Sequence, residues 1–221
     1  MGYQWDFATV LSYWDVLLGG GLATLRLFAV TVTLGLGGGL VMGMLRHAGS
    51  PVLRYPATAF VELFRNTPVL VQIIWFYFAL PVLVPFDISP FLASAMGITL
   101  NTIAFSSEIF RGGIQSMERG QWEAAKAIGM NHAQTMRRII LPQAIKRMLA
   151  PLTNRGIEVF KMSTLASIVS YPEVLNQAKL IASMEYNPIE SYTTVAIIFF
   201  VVLFPIVQAT YVLERRFGKS D

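Results

Sequence analysis

Apolar residues occur in long runs along this chain, and polar residues collect in the segments between the runs. A helix needs about 20 largely apolar residues to cross the roughly 30 Å hydrocarbon core of a bilayer. Five windows come near that length, at residues 22–45, 66–85, 91–110, 148–171 and 192–213. The pattern predicts an all-α integral membrane protein with about five transmembrane helices, all within a single domain over residues 1–221.

Composition agrees with a membrane protein and excludes several other classes. Of the 221 residues, 54% are hydrophobic and only 14% are charged, unlike a soluble globular protein. The chain has no cysteine, so neither a disulfide framework nor a thiolate metal site can form, and we expect no metal site. The net charge of +4 follows from membrane topology, and we expect no nucleic-acid partner.

Lysine and arginine set the predicted orientation, because short cytoplasmic loops are enriched in them. The segment 46–65 contains three, the segment 111–147 contains seven and the tail after residue 213 contains three. The segments on the other side contain only Lys179. This asymmetry predicts that the N-terminus lies outside and the C-terminus lies in the cytoplasm.

Two features of the spans concern packing and helix ends. Gly35, Gly39 and Gly43 recur every fourth residue, so they share one helix face and let another helix approach closely. Asn66, two residues before Pro68, is predicted to cap the start of the second span.

A polar, basic stretch between the third and fourth windows reads EAAKAIGMNHAQTMRRIILP, from Glu123 to Pro142. Small residues near its start favour helix and leave a low surface that another protein can approach closely. They are Ala124, Ala125 and Ala127. Gly129 is predicted to end this first helix.

A second short helix is predicted after the glycine. Asn131 has the position of an N-cap and Gln134 is placed to bond back to it, while Pro142 is predicted to end the helix. The product is a helix, a glycine turn and a helix on the cytoplasmic face, over about residues 119–142. The residues alone leave two interpretations open, a docking site for a partner outside the bilayer and an ordinary solvated connector.

The same stretch resembles the signature of the permease subunits of bacterial ABC importers. That signature is E-A-A, three residues, Gly129, nine residues and then Ile139-x-Leu141-Pro142, matched here without a gap. Neighbouring segments such as FVELFRNTPVLVQIIWFYFALP and KMSTLASIVSYPEVLNQAK resemble the polar amino acid branch, which includes histidine, glutamine and glutamate permeases. The resemblance extends from about residue 20 to 213 and implies the type I importer fold.

The resemblance implies a set of partners. Two permease chains form the translocation path, a cytoplasmic ATPase dimer binds ATP and Mg, and a periplasmic or lipid-anchored binding protein delivers an amino acid. The chain itself then has no cofactor and no catalytic residue, and lies in the bacterial cytoplasmic (inner) membrane. Four residues would belong to a coupling helix between spans 3 and 4 that sits in a cleft of the ATPase: Glu123, Ala124, Ala125 and Gly129.

Charged residues inside the fourth window are candidates for a solute site. Arg155, Glu158 and Lys161 follow one another at i, i+3 spacing and form a stripe on one side of the helix. Charges at this depth are costly and usually face a bundle interior or a water-filled cavity. The stripe indicates either a polar solute site or an internal salt-bridge ladder. Arg155 lies nearer the cytoplasmic end, where its head group can instead extend to the interface.

An amino acid zwitterion presents one carboxylate and one ammonium, which such a stripe can complement. The candidate solute-binding residues are Asn154, Glu158, Lys161, Ser163 and Thr164 in the fourth window and Glu108 in the third. Glu108 has an alternative role as the ion-pair partner of Arg111 on the same helix face.

The excess of positive charge in the stripe favours an anionic solute, so aspartate or glutamate is the predicted substrate. Glutamine, histidine or arginine are the alternatives. In a heterodimeric permease pair the other chain could hold the solute alone, whereas in a homodimer the partner is a second copy of this chain. Met162 occupies the position where this family often has an acidic residue, directly after the lysine.

Two other classes of function explain less of the sequence. A self-contained ion-coupled carrier is expected to show inverted repeats and enough spans to line a path by itself, and the five windows contain no repeat. A channel or a membrane scaffold does not require a capped two-helix unit of this spacing. Co-purification of an ATPase with the chain distinguishes an importer permease from both.

Overall fold

The computed structural model describes residues 3–47 and 50–217, and its regular secondary structure within these ranges is entirely helical. The α-helices are α1 (Phe7–Ser12), α2 (Trp14–Arg46), α3 (Pro51–Asn66), α4 (Val69–Ile74), α5 (Leu80–Leu83), α6 (Pro90–Gln115), α7 (Arg119–Ala127), α8 (His132–Thr135), α9 (Leu141–Met162), α10 (Val174–Glu185) and α11 (Pro188–Phe217). Wider π-helical turns link α4 to α5 and α8 to α9, and a 3-10 helix over Ser163–Val169 extends α9.

Each predicted window coincides with helix. Two of these helices, α2 and α11, are by themselves long and apolar enough to cross a membrane. A bent pair passes the same test when it is taken together, α3 with the segment Val69–Leu83, which meet at 102°. The all-helical membrane architecture is therefore confirmed. The predicted tail beyond residue 217 lies outside the described residues.

The segment before the second window differs from the sequence prediction. We treated residues 46–65 as a loop, but they contain α3, whose apolar residues are interrupted by Arg54, Thr58, Glu62 and Arg65. The predicted cap at Asn66 is also wrong, since its amide donates back to the carbonyl of Glu62 at 2.8 Å within α3. The chain turns at Thr67 and Pro68, both extended.

The contact between α2 and α6 follows the glycine repeat. Gly35, Gly39 and Gly43 are buried and face α6. A methyl group added to Gly39 would lie 2.5 Å from Cβ of Ser106, far inside contact distance. Without a hydrophobic drive between helices in lipid, this close backbone approach supplies van der Waals contact instead. The predicted packing face is confirmed.

The central core lies where α2, α4, α6 and α9 meet. Leu27, Ile73, Ile98 and Val159 are fully buried there. A second cluster joins α1 and the start of α2 to α10 and α11, through residues such as Val10 and Ile181. The first core fixes α9 against α6, and this contact positions the candidate solute face.

A buried carboxylate caps α10. Glu173 is completely buried, and its two carboxylate oxygens accept the backbone N–H groups of Leu175 and Asn176 at 2.8 and 2.7 Å. These bonds favour the charged form, but burial outweighs them and raises the pKa of Glu173 to about 7.

Gly39→Ala is expected to destabilise the protein by about 1–3 kcal/mol, because the added methyl group overpacks the α2–α6 contact. Gly37→Ala is the matched control, since nothing lies within 4 Å of a Cβ at that position. Thermal unfolding of the purified protein in detergent measures both. We expect a lower Tm for Gly39→Ala only, and equal Tm values would contradict the packing account.

Glu173 should make stability depend on pH between about 4.5 and 7. Its folded pKa of about 7 lies above the ordinary 4.5, so the folded state binds more protons across this interval. Stability is therefore expected to fall as pH rises from 4.5 to 7 and then to level off. Glu173→Gln keeps an oxygen for the helix cap and cannot titrate, so its Tm should change less over this range. An equal pH dependence in both proteins would refute the assignment.

Candidate functional site

The first part of the candidate site is the turn after α7. Gly129 has φ +77°, a left-handed conformation that glycine adopts without strain. Its N–H donates to the carbonyl of Lys126 at 3.0 Å, and the N–H of Met130 donates to the carbonyl of Ala125 at 3.0 Å. These two bonds form a Schellman motif, so the predicted helix stop at Gly129 has the expected geometry.

The second arm begins as predicted and ends differently. Asn131 and Gln134 form a reciprocal capping box, with bonds of 2.9 and 3.0 Å. Pro142 does not end the helix, because the π-helical turn Met136–Ile140 precedes it and the helix continues as α9 to Met162. The wider turn shifts the hydrogen-bond pattern ahead of the proline, which lacks an N–H and sits in the first turn of α9. The elbow, as we call residues 119–135, therefore leads directly into α9.

The outward face of the elbow is smaller than the sequence suggests. Ala125 is fully buried against the chain itself, so it does not belong to an exposed low surface. Glu123 and Ala124 are exposed, and Ile128 at the tip exposes 75% of its surface. Sequence reasoning missed Ile128, although an aliphatic residue beside a helix-ending glycine in a polar stretch was the available signal.

Aromatic stacking joins the two arms of the elbow. The rings of Trp122 and His132 lie 5.6 Å apart and almost parallel, at 18°. Trp122 also packs against a buried cluster that includes Met117, Ile140 and Met148. The elbow is thus packed against the cluster that joins α6 to α9.

The second part of the candidate site is one face of α9. Asn154, Glu158 and Lys161 are exposed and lie at i, i+4 and i+7, so they share one face of the helix. Glu158 exposes 58% of its side chain. Polar groups on an exposed face of a membrane-embedded helix are expected to meet a partner chain or water.

Arg155 does not extend to the interface, which was the alternative to a place in the charged stripe. Its side chain is only 3% exposed and is held between helices. It donates to Glu158 at 2.9 Å and to Asn101 of α6 at 2.7 Å, and its guanidinium lies 4.6 Å from the ring centroid of Phe105. Asn101 in turn donates to the carbonyl of Phe64 at the end of α3, at 2.9 Å. Arg155 therefore joins α9 to α6, and its Asn101 contact extends the connection to α3.

Two further predicted solute residues, Ser163 and Thr164, begin the 3-10 helix that follows α9. Ser163 is 1% exposed and donates to the carbonyl of Phe160 at 2.6 Å. Thr164 donates to the carbonyl of Lys161 at 2.8 Å. Both hydroxyls are thus bonded to backbone carbonyls of the preceding turn, while the spacing places Asn154, Glu158 and Lys161 on one face of α9.

Glu108 of α6 lies among three arginines. It pairs with Arg46 at 2.7 Å, Arg65 at 3.2 Å and Arg111 at 2.7 Å, which come from α2, α3 and α6. The alternative pairing with Arg111 is therefore present, and two further partners were not foreseen. The geometry favours a role for Glu108 in joining the ends of these helices over a role in solute binding.

A family model matches most of the chain. Residues 35–219 match the family described as binding-protein-dependent transport system inner membrane component. The chain is 33% identical over 97% of its length to a probable amino-acid ABC transporter permease protein, YckA, of Bacillus subtilis strain 168, covering 96% of that protein. It is also 33% identical over 96% of its length to the glutamine transport system permease protein GlnP of Escherichia coli K12, covering 98% of it.

A solved structure has the same fold. A chain in the crystal structure of an amino acid ABC transporter with histidines matches with a TM-score of 0.92 at 33% identity. The match covers 97% of the present chain and all of that chain.

Arg155→Met is expected to lower stability by about 1–3 kcal/mol, because it leaves the buried amide oxygen of Asn101 without this donor. Lys161→Met, on the exposed face of the same helix, is the matched control and should leave Tm nearly unchanged. Thermal unfolding in detergent compares the two. A larger loss of Tm for Lys161→Met than for Arg155→Met would contradict the buried, stabilising role of Arg155.

Proposed function

The chain belongs to the family of binding-protein-dependent transport system inner membrane components, and on that premise we propose that it lines the solute path of an amino acid importer together with a second permease chain. It is a transport permease of the bacterial inner membrane and not an enzyme, and ATP hydrolysis is carried by a separate subunit. The observation that carries the proposal is the exposed pair Glu158 and Lys161 on a helix that is continuous with the elbow.

We assign the elbow to the ATPase contact. Ile128 presents a large apolar surface outside the predicted spans, which is unfavourable in water and suits an apolar cleft of another protein. Glu123 and Ala124 flank it on the exposed side, while Ala125 and Gly129 support the elbow from within by packing and turn geometry. Of the four residues predicted to couple to the ATPase, two are thus proposed as contacts and two as supports.

The assembly we propose follows from the family. An ATPase dimer holding ATP and Mg lies on the cytoplasmic side, and a periplasmic or lipid-anchored binding protein delivers the solute on the other side. We propose five spans with the N-terminus outside, an arrangement in which the elbow would lie beside the ATPase. In support, the three arginines around Glu108 gather at the end of the bundle from which the elbow emerges, as the distribution of charge requires.

The exposed face of α9 fits the common part of an amino acid. Glu158 can accept from an ammonium group and Lys161 can donate to a carboxylate, with Asn154 beside them. Arg155 fixes one side of Glu158, so the carboxylate is held in place while most of its surface stays accessible. Two copies of this face, or one copy opposite a different permease chain, would enclose the solute.

We infer the class of the solute's side chain from the charges on the exposed face of α9. Our preference for aspartate or glutamate counted Arg155 as part of the stripe, whereas its guanidinium is buried and turned toward α6. The exposed face then carries one positive and one negative residue, Lys161 and Glu158, and matches a zwitterion without excess charge. This count leaves acidic amino acids as one proposal beside glutamine, histidine and arginine.

Uptake into proteoliposomes tests the proposal directly. The chain with its co-purifying partners, an added binding protein and internal ATP would be given labelled aspartate, glutamate, glutamine, histidine and arginine. ATP-dependent accumulation of one of them is expected and would identify the solute. If the folded chain purifies from the membrane without an ATPase, the importer function is refuted.

Gly129→Pro and Glu123→Lys are expected to abolish solute-stimulated ATP hydrolysis while the protein still inserts and accumulates normally. Proline cannot adopt φ +77° or donate the N–H bond to Lys126, so the turn should open. Lysine at position 123 reverses a charge on the exposed side of the elbow.

Gly120→Ala is the control, because a Cβ there meets nothing within 4 Å and the residue is helical. It should keep full stimulation. Normal stimulation in Gly129→Pro and Glu123→Lys would remove the elbow from the ATPase contact.

Lys161→Ala is expected to reduce uptake while ATPase assembly persists, because the carboxylate of the solute loses its cation. Lys146→Ala, an exposed lysine of α9 outside the fourth window, should transport normally. Initial uptake rates over a range of solute concentrations measure the difference. Unchanged kinetics in Lys161→Ala would assign this residue to structure.

A further inference from the structure

A large apolar cleft lies between α2 and α11, away from the elbow. Its volume is about 770 Å³, and its floor includes Phe160 of α9. The sides are formed by exposed aliphatic residues of the two long helices: Leu18, Leu22, Leu25, Ile197 and Val201. We propose that this cleft holds one acyl chain of a membrane phospholipid as a retained structural ligand.

The location of the cleft selects a hydrocarbon occupant. Its two sides belong to α2 and α11, the helices that are by themselves long and apolar enough to cross a bilayer. A gap between two such helices opens onto acyl chains and not onto water. An unfilled space of this size would forfeit the van der Waals contacts of its lining, so a flexible acyl chain gains contact by entering it.

The two hydroxyl groups at the cleft are bonded within the chain. The Thr24 hydroxyl donates to the carbonyl of Gly20 at 3.0 Å and accepts the N–H of Val174 at 3.3 Å. The Thr194 hydroxyl donates to the carbonyl of Glu190 at 2.8 Å. Water in the cleft would find few partners, and water needs about two to four of them to be retained.

The cleft faces away from the polar side of α9, which argues against a second permease chain as the occupant. At 3.6 residues per turn, Phe160 lies about 200° around the helix from Glu158. Phe160 packs between Phe28 and Phe199, with ring centroids 5.3 and 5.4 Å away. The polar face that we assign to the solute path and the partner permease is therefore on the other side of this helix.

Aromatic side chains mark one end of the cleft. Trp14 in the first turn of α2 and Phe7 of α1 contribute to its lining, and Trp5 stacks on Phe7 at 5.5 Å. Tryptophan and tyrosine collect where the hydrocarbon meets the head groups. The cleft thus begins at an interface and extends inward along α2, as one acyl chain does.

The test uses the complex reconstituted with phosphatidylcholine that carries a photoreactive diazirine in one acyl chain. Exchange into detergent removes loosely bound lipid, and irradiation then labels only lipid that remains. We expect labelling of α2 around residues 18–25 and of α11 around residues 197–202 in the unchanged protein.

Two variants fill the cleft from opposite sides, Gly21→Phe and Ile197→Trp. A Cβ at Gly21 meets only a methyl group of Val174, at 3.9 Å, so the larger side chain can be accommodated. Gly19→Phe is the matched control, two residues away on α2, exposed and outside the lining. Both filling variants should lose the label and the control should keep it. Equal labelling in all three would overturn the proposal.

A second experiment identifies a protein occupant if there is one. Because the chain has no cysteine, Leu22→Cys gives a single site for a photoreactive maleimide within the cleft. Crosslinking to phospholipid is expected. Crosslinking to another protein chain would overturn the proposal, since the cleft would then be an interface.

Discussion

The close approach of α2 to α6 is the contact on which the rest of this structure depends. Three glycines bring the two backbones together where lipid provides no hydrophobic drive. Because α6 is fixed in this way, it can carry both Glu108, which gathers three arginines, and Asn101, which receives Arg155. The elbow follows α6 directly, so its position relative to the bundle is set by the same contact.

Charged side chains in the bundle occur in two different environments, buried with a partner or exposed. Arg155 and Arg46 are largely buried, and each has a carboxylate partner at 2.9 or 2.7 Å. Burying such ions without partners would cost several kcal/mol per ion, so these pairs are needed to compensate for desolvation. Glu158 and Lys161 instead keep exposed surface on a helix within the predicted membrane region. That exposure is the physical reason for assigning the α9 face to the solute path.

Sequence reasoning succeeded where a local rule decides the outcome. The hydrophobic runs located helices, the glycine spacing located the α2–α6 contact, and Asn131 with Gln134 formed the capping box that their spacing predicts. It failed where a tertiary contact decides. The side chain of Arg155 turns to Asn101, fifty-four residues earlier in the chain, and no local pattern records that choice. Pro142 was misjudged because a π-helical turn, invisible in residue spacing, lets the helix continue past it.

The π-helical turn also joins the elbow to α9 without a break in the helix. From His132 to Met162 the chain is helical without an intervening loop, so the second arm of the elbow is continuous with the helix that carries Glu158 and Lys161. A movement of this arm would therefore rotate or shift α9 directly, because no flexible loop lies between them. The π-helical turn at Met136–Ile140 lies on this route, so under the proposed ATPase contact any movement of the second arm would reach Glu158 and Lys161 through a segment with altered hydrogen bonding.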